Sequence, residues 1–235
     1  MELFDRQWSS YRAIVEHDLM EHGPVAGATA EAIDSWLAAR TPAAPAPELV
    51  DLGCGDLARL APLLRRLPLA GYTGVDLAAV VLPLAERNLG AVPYLTRWRQ
   101  GNLLDWALEG QEASTDILHS AFAIHHLDDE QKQRFLAAAR RCIRPGGLFI
   151  WADVFRLPGE PRPTYLDRYT RRIESGWGVL DADQQAHVIT HMHHFDLPAE
   201  RDAIEAVAEA CGWSWRWAWQ GSHQAEALAV LTPVD

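Results

Sequence analysis

The chain has 235 residues, is 49% hydrophobic and carries a formal net charge of −11. This length suits one elaborated domain, and the acidic charge argues against nucleic-acid partners because phosphate contacts need a basic surface. No apolar run is long enough to cross a bilayer, the N-terminus lacks the layout of a secretion signal, and three widely spaced cysteines form no disulfide framework. We therefore expect a cytoplasmic monomer or homodimer that binds neither nucleic acid nor membrane.

The first forty residues predict two helices. Apolar residues recur at steps of three and four up to Leu19, Gly23-Pro24 interrupts the pattern, and residues 28–39 form the second helix. A stiff proline-rich linker, residues 41–47, then leads to the first strand.

Residues 48–60 are an apolar run, a pair of glycines and a helical apolar pattern that starts at Leu57. We interpret them as a strand, a tight turn and a helix. Gly53 and Gly55 allow positive φ and a close approach of ligand to the main chain. Asp51 at the mouth of this turn would repel a pyrophosphate and attract a cation such as an ammonium group.

Strands and helices alternate after this turn, which favours a parallel sheet. The predicted strands, with their exits, are residues 71–76, 94–100, 116–127 and 148–153, and the predicted helices are residues 78–88 and 129–143.

The chain then departs from simple alternation. An insertion at residues 154–198 is too long for a plain connection, and its predicted helices are residues 165–173 and 177–194. A helix at 199–211, a strand at 213–219 and a closing strand at 225–231 follow. Strict alternation of tryptophan in the strand at 213–219 puts four indoles on one face, which favours core or interface over a substrate box.

The glycine turn fits two families. Gly53, Gly55 and Ala58, with Asp76 about twenty residues on, match the dinucleotide fingerprint. The acidic residue followed by G-x-G also resembles the first motif of the class I S-adenosylmethionine (SAM) methyltransferases. A strand that ends in His-His-Leu127, a helix and Pro145-Gly-Gly before the fifth strand strengthen that second resemblance. It covers roughly residues 48–155.

The resemblance implies a three-layer, Rossmann-like α/β fold, with a seven-stranded, mostly parallel sheet whose last strand is antiparallel. It also implies an N-terminal helical lid (1–40), a SAM-binding core (48–153), a substrate lid over the carboxyl ends of the strands (154–198) and closing elements (199–235). The whole forms one domain.

In this family the acid and glycines of the turn seat the amino-acid end of SAM, and an acid after the second strand holds the ribose hydroxyls. The family's third glycine is Leu57 here. Its usual adenine-binding acid is Asn102, whose amide oxygen can still accept that hydrogen bond, and we expect Asp105 to cap a helix. The implied cofactor-binding residues are Asp51, Gly53, Cys54, Gly55, Asp76, Leu77, Asn102, Leu103 and His119.

Methylation of a hydroxyl needs a base, and histidine titrates near neutrality. His187, His191 and His194 share one face of a predicted helix, which leaves three alternatives: a metal site, a lid helix that presents a base, or structural histidines. We expect no metal. The catalytic candidates are His191, His194, His126 and Asp153, the last of which could instead pair with Arg156.

Aromatic residues suit a flat acceptor. The candidates for its binding are Trp8, Tyr11, Phe122, Tyr165, Tyr169 and Trp177. The sequence therefore favours SAM-dependent methylation of a small aromatic or heterocyclic molecule at oxygen or nitrogen. Two rivals stay open, an NAD(P)-dependent oxidoreductase and a SAM-fold protein that binds partners without catalysis.

Overall fold

A computed structural model describes residues 12–234 of the protein. The helices are α1 (residues 12–16), α2 (His22–Ala39), α3 (Ala61–Leu64), α4 (Leu82–Leu89), α5 (Leu103–Glu109), α6 (Asp129–Cys142), α7 (Arg162–Gly176), α8 (Ala182–Phe195) and α9 (Arg201–Ala210). The strands are β1 (Glu48–Leu52), β2 (Gly71–Asp76), β3 (Leu95–Gln100), β4 (Thr115–Ala121), β5 (Ile143–Arg156), β6 (Ala199–Glu200), β7 (Trp213–Gln220) and β8 (Glu226–Pro233). A 3₁₀ turn, Ile124–His126, follows β4.

The strands form one sheet in the order β3-β2-β1-β4-β5-β8-β7, with the short β6 paired to the end of β5. The first five strands are parallel, and β8 runs antiparallel to both of its neighbours. The strand order reverses between β1 and β4. Open α/β sheets bind ligands at the carboxyl ends of the strands where the strand order reverses, so we expect the ligand site between β1 and β4. The predicted α/β sheet with its antiparallel last strand is confirmed.

Helices cover both faces of the sheet, which makes the three predicted layers. One apolar cluster packs α5, α6 and α9 on the first face, and a second packs α2, α3 and α4 on the other. The central strands are buried on both sides, as parallel strands between helical layers are. Among residues 12–234, the helices are all too short or too polar to cross a bilayer.

Two helix starts differ from the sequence prediction. The second N-terminal helix begins at His22 and not at residue 28, because Pro24 fits the first turn of a helix, where its missing N–H removes no hydrogen bond. The helix after the glycine turn begins only at Ala61. Leu57 has a φ of +59°, which is outside helical geometry, so the chain needs another turn before the helix can start.

The tryptophan strand corrects the expectation of four indoles on one face. Trp213, Trp215 and Trp217 pack on the cluster that contains β5 and α9. The pairing of β7 with β8 shifts register between Trp217 and Trp219, and such a bulge turns the following side chain. Trp219 therefore packs on the opposite face of the sheet. Trp213 and Trp215 are buried, which makes them core residues.

The insertion forms α7 and α8, which bury a third apolar cluster against Ile14 and Val154. A buried ion pair joins this layer to the sheet. Glu226, at the start of β8, accepts hydrogen bonds from the Tyr169 hydroxyl at 2.7 Å and from Arg172 Nη1 at 2.6 and 2.8 Å. Arg172 also donates to the carbonyl of Leu19, so the same group ties α7 to the N-terminal segment.

Candidate active site

The glycine turn after β1 brings main chain to the mouth of a cleft. Gly53 has a φ of +72°, and a Cβ atom there would lie 2.4 Å from the Cβ of Ala123. Gly55 also has a positive φ, of +54°. The turn is held to β2 because the N–H groups of Gly53 and Cys54 both donate to the carbonyl of Val75. Glycine is thus required at 53 by conformation and by space.

Asp76 ends β2 beside this turn. One of its oxygens accepts from the N–H of Gly55 at 2.9 Å and the other from the N–H of Ala78 at 2.8 Å. Burial raises the pKa of Asp76 above its usual value, although these backbone hydrogen bonds oppose the shift. Each oxygen keeps a second lone pair, so the carboxylate can accept from a vicinal pair of hydroxyls.

Asp51 lies deeper in the cleft and is almost fully buried. Its Oδ1 is 2.7 Å from Nδ1 of His119, and its Oδ2 accepts from the Tyr72 hydroxyl at 3.1 Å. Burial, followed by the charge of Asp51, raises the pKa of Tyr72 well above its usual value, so the phenol stays a donor. The carboxylate is therefore fixed in place by neighbours on β2 and β4.

Asn102 has a structural role beside the binding role that the resemblance implies. Its Oδ1 accepts from the N–H of Leu104 at 2.7 Å, so Asn102 is the N-cap of α5. The expectation that Asp105 caps this helix is wrong, because Asp105 already lies inside the first turn. Asn102 still lines the cleft, where its amide N–H₂ remains a donor.

The cleft has a volume of about 790 Å³. All nine residues predicted to bind a cofactor line it: Asp51, Gly53, Cys54, Gly55, Asp76, Leu77, Asn102, Leu103 and His119. One end therefore holds a buried carboxylate that suits an ammonium group, and the carboxylate after β2 suits a ribose. These two carboxylates fit a cationic nucleoside better than a diphosphate, since both would repel phosphate.

A second cavity of about 360 Å³ adjoins the cleft. Its walls come from the insertion helices, the 3₁₀ turn and the N-terminal segment. Four predicted acceptor-binding residues line it: Phe122, Tyr165, Tyr169 and Trp177. The other two, Trp8 and Tyr11, lie outside the described residues.

Three residues line both cavities: His22, Phe122 and His126. Phe122 follows β4 with a φ of +53°, a conformation that is unfavourable for a bulky residue and is typically retained at functional positions. Its ring lies 4.8 Å from the imidazole of His22, centroid to centroid. These side chains form the boundary between cleft and cavity.

His22 was not among the residues predicted from the sequence. Burial lowers its pKa to about 4, with nearby Asp18 opposing the shift, so the imidazole is neutral at neutral pH. Its buried Nδ1 has no hydrogen-bond partner among the described residues. The Gly23-Pro24 pair that starts α2 was the available signal, because it places His22 at the first position of a helix.

Asp153 holds the 3₁₀ turn in place through contacts with His125. Its Oδ1 is 2.6 Å from Nδ1 of His125, and its Oδ2 accepts from the His125 N–H and from the Trp151 indole, each at 3.0 Å. Burial disfavours its charge, but the imidazole outweighs burial and holds the pKa of Asp153 below its usual value. The alternative pairing with Arg156 is wrong, because that guanidinium donates to the carbonyls of Pro198 and Glu160.

The histidines of α8 divide between cavity and solvent. His187 and His191 line the smaller cavity, as do His125 and His126. His194 lies outside it, and its Nδ1 is 2.7 Å from the carbonyl of Thr190 in the preceding turn. Burial lowers the pKa of both His126 and His191. The structure therefore brings together two of the three predicted histidine bases and leaves His194 apart.

Comparison with known proteins shows which family has a site of this kind. The family described as "Methyltransferase domain" matches residues 49–147, which run from β1 into β5 and include the glycine turn and Asp76. The core of the chain is a class I methyltransferase domain. The resemblance predicted from the sequence is thus confirmed, and SAM is the cofactor of this class.

A trans-aconitate 2-methyltransferase of Deinococcus radiodurans is 37% identical over 112 residues, which cover 48% of this chain and 40% of the relative. The chain spans about half the length of the curated methyltransferases it matches.

Solved structures agree with this fold. An O-methyltransferase family protein from Burkholderia thailandensis aligns with a TM-score of 0.59 and 18% identity, over 81% of this chain and 52% of that one. Human N-acetylserotonin methyltransferase in complex with SAM aligns with a TM-score of 0.57 and 12% identity, over 89% of this chain and 52% of that one.

Proposed function

We propose that the protein transfers the methyl group of SAM to an oxygen or nitrogen atom of a small aromatic or heterocyclic acceptor. One observation carries the proposal. A cleft suited to a cationic nucleoside meets an aromatic-walled cavity, and His22, Phe122 and His126 line both. An acceptor in the smaller cavity would face a methyl group held at this boundary.

The cleft would bind the cofactor by charge and by shape. Asp51 would attract the ammonium group, Asp76 would accept from the ribose hydroxyls, and Gly53 would let the main chain approach. SAM supplies an activated methyl group on a good leaving sulfide. The protein's own contribution is then to align the two reactants and exclude water.

The lining of the smaller cavity favours an acceptor without negative charge. Tyr165, Tyr169 and Trp177 supply flat apolar surface, and none of the described lining residues is arginine or lysine. Asp196 adds a carboxylate. A tricarboxylate such as the acceptor named for the bacterial relatives would meet repulsion here, so we infer that the acceptor differs from theirs.

An acceptor hydroxyl must lose a proton on methylation. We assign this role to His191, because its ring lines the cavity and stands edge-on to His126, with centroids 5.8 Å apart. Asp153 would act indirectly, by fixing the ring of His125 that forms part of the same wall.

Isothermal titration with S-adenosylhomocysteine and, separately, with NADH tests the cofactor. We expect one equivalent of S-adenosylhomocysteine to bind and NADH not to bind. Binding of NADH alone would support the oxidoreductase rival and reject the proposal.

Incubation with tritiated SAM and a set of phenols and heteroaromatic amines tests catalysis. Transfer of label to an aromatic acceptor is the expected result. A protein that binds S-adenosylhomocysteine but labels no member of the set, nor trans-aconitate, would instead fit the scaffold rival. Label on trans-aconitate alone would contradict our inference about acceptor charge.

The base is tested with His191→Gln, and His194→Gln is the matched control on the same helix. For a hydroxyl acceptor, the first variant should lose turnover by ~10²-fold or more while the affinity for S-adenosylhomocysteine is unchanged. The control should keep wild-type turnover. Equal activity of the two variants would exclude His191 as base.

A further inference from the structure

A buried carboxylate oxygen on the wall of the smaller cavity has no hydrogen-bond donor. Oδ1 of Asp196, the residue that ends α8, is inaccessible to solvent and lacks a partner among residues 12–234. Three imidazole nitrogens surround it: His125 Nε2 at 3.6 Å, His126 Nδ1 at 3.7 Å and His191 Nε2 at 3.8 Å. These distances are too long for hydrogen bonds, so a buried carboxylate oxygen is left without a hydrogen-bond partner.

Asp153 determines which nitrogen of His125 faces this oxygen. Its carboxylate holds Nδ1 of His125 at 2.6 Å and also accepts the N–H of the same residue, which fixes the ring. Nε2 is therefore directed at Asp196. A carboxylate that anchors one imidazole nitrogen while the other points at a shared centre is the usual outer arrangement of a histidine metal ligand.

We propose that His125, His126 and Asp196 bind a divalent transition-metal ion on the wall of the smaller cavity. One ligand atom from each of these residues lies within 4.8 Å of the other two. Bonds of ~2.0–2.1 Å in a tetrahedral site hold ligand atoms ~3.4 Å apart, so the distances of 3.6 and 3.7 Å from Asp196 need to shorten only slightly.

The ligand types select the class of metal. Two imidazoles and one carboxylate suit Zn²⁺, Fe²⁺ or Co²⁺, whereas Mg²⁺ and Ca²⁺ prefer sites made of oxygen alone. All three ligand residues line the cavity, so water or a heteroatom of a bound molecule can take the fourth position. Nδ1 of His126 now lies 3.3 Å from the carbonyl of Phe195, and the metal would replace this contact.

The site is not the one that the sequence suggested. The spacing of His187, His191 and His194 favoured ligands from one helix face, but His194 lies outside the cavity. Residues from the turn after β4 and from the end of α8 come together instead. The competing explanation is an extra proton shared by His125 and the two carboxylates, which would satisfy Asp196 without metal.

Metal titration of the chelator-treated protein separates the two explanations. The probe is Zn²⁺ alone in calorimetry and Co²⁺ alone in visible absorption, with no cofactor or acceptor present. We expect one equivalent to bind with a Kd in the micromolar range or tighter, and Co²⁺ to give absorption bands of nitrogen and oxygen coordination. Binding weaker than millimolar, or no Co²⁺ bands, would overturn the site and favour the shared proton.

Substitutions locate the ion. Asp196→Asn and His125→Gln should each weaken Zn²⁺ binding at least ~100-fold, and Asp153→Asn should weaken it ~10–100-fold through the ring of His125. His194→Gln is the control and should leave the affinity unchanged. If His194→Gln abolishes binding while Asp196→Asn does not, the ion binds the outer face of α8 and the proposal fails.

A second variant guards against misfolding. His126→Gln removes a ligand whose side chain is half-exposed, so this variant should fold even if Asp196→Asn does not. Thermal unfolding will show which variants are native. Loss of Zn²⁺ binding in folded His126→Gln supports the site, and retention contradicts it. Because the test uses the metal alone, its result is independent of methyl transfer.

Discussion

The cofactor cleft and the smaller cavity are built in opposite ways. The nine predicted cleft residues all lie between positions 51 and 119, at the carboxyl ends of neighbouring parallel strands. The cavity collects its walls from the segment before α2, the turn after β4, the end of β5 and both insertion helices. The cleft thus depends on local sequence in one sheet, and the cavity depends on packing between distant segments.

The charged groups of the cleft and of the smaller cavity also differ. In the cleft, Asp51 and Asp76 are already held by side chains and backbone N–H groups, so these carboxylates are preorganised. On the cavity wall, Asp196 keeps an unsatisfied oxygen, and the Glu226–Arg172 pair below has been removed from water. We therefore expect changes under the cavity to affect stability and changes in the cleft to affect binding.

The largest effect should come from Glu226→Gln. This change leaves the mostly buried guanidinium of Arg172 without its counter-charge, and breaking such a pair destabilises proteins by about 3–5 kcal/mol. Urea unfolding should show a loss of about 3 kcal/mol.

The control for that change is Asp34→Asn, which breaks an exposed pair with Arg66. It should lower the free energy of unfolding far less than Glu226→Gln does, because water screens exposed charges. Similar losses of unfolding free energy in both variants would mean that the buried Glu226–Arg172 pair stabilises the protein no more than an exposed pair does.

The second effect is a pH dependence from His22, at the boundary of the two regions. Burial lowers its pKa to about 4 from 6.5. Between pH 6.5 and pH 4 the imidazole of His22 is protonated in the unfolded chain but neutral in the folded protein. The free energy of unfolding therefore falls as the pH drops from 6.5 to 4, by up to about 3 kcal/mol.

The variant His22→Gln should remove this part of the decline, measured as urea unfolding at pH 7, 5.5 and 4. The exposed His17 provides the control, and His17→Gln should keep the wild-type profile. Identical pH profiles for wild type and His22→Gln would show that the buried ring protonates freely in the folded state.

Asp76→Asn should act on binding. The amide keeps the size of the side chain but loses the charge and one acceptor atom, and hydrogen bonds to charged groups contribute about 1.5–3 kcal/mol. We expect the Kd for S-adenosylhomocysteine to rise by ~10–100-fold in calorimetry. Asp105→Asn, an exposed change in the first turn of α5, should leave it unchanged. Equal affinities would remove Asp76 from the site.

The smallest effect should come from Leu77→Ala. Leu77 lines the cleft but is 70% exposed, so its loss should change stability by less than about 0.5 kcal/mol. A bound nucleoside would cover its side chain, and we expect the Kd for S-adenosylhomocysteine to rise by ~3–5-fold, or about 1 kcal/mol. Val179→Ala, at an exposed valine away from the cleft, should change neither quantity. Unchanged affinity in Leu77→Ala would place the ligand elsewhere.

Local signals were enough for the sheet and for the cleft. Gly53, Gly55 and Asp76 could be placed because a strand, a turn and the next strand end fix the main chain within about thirty residues. Leu57 shows what the local sequence leaves undetermined. Its position was expected to matter, but only the fold reveals that it takes a left-handed φ and delays α3.

The sequence by itself predicted the parallel sheet, because strands and helices alternate along it, and its motifs carried the resemblance that implied the antiparallel last strand and the residues of the cleft. Tertiary structure alone decided that a bulge turns Trp219 away from its row, that His22 closes the boundary and that Asp196 meets three imidazoles. The contacts of His22 and Asp196 with the turn after β4 join residues 70 to 100 positions apart, and no local spacing encodes the packing that brings them together.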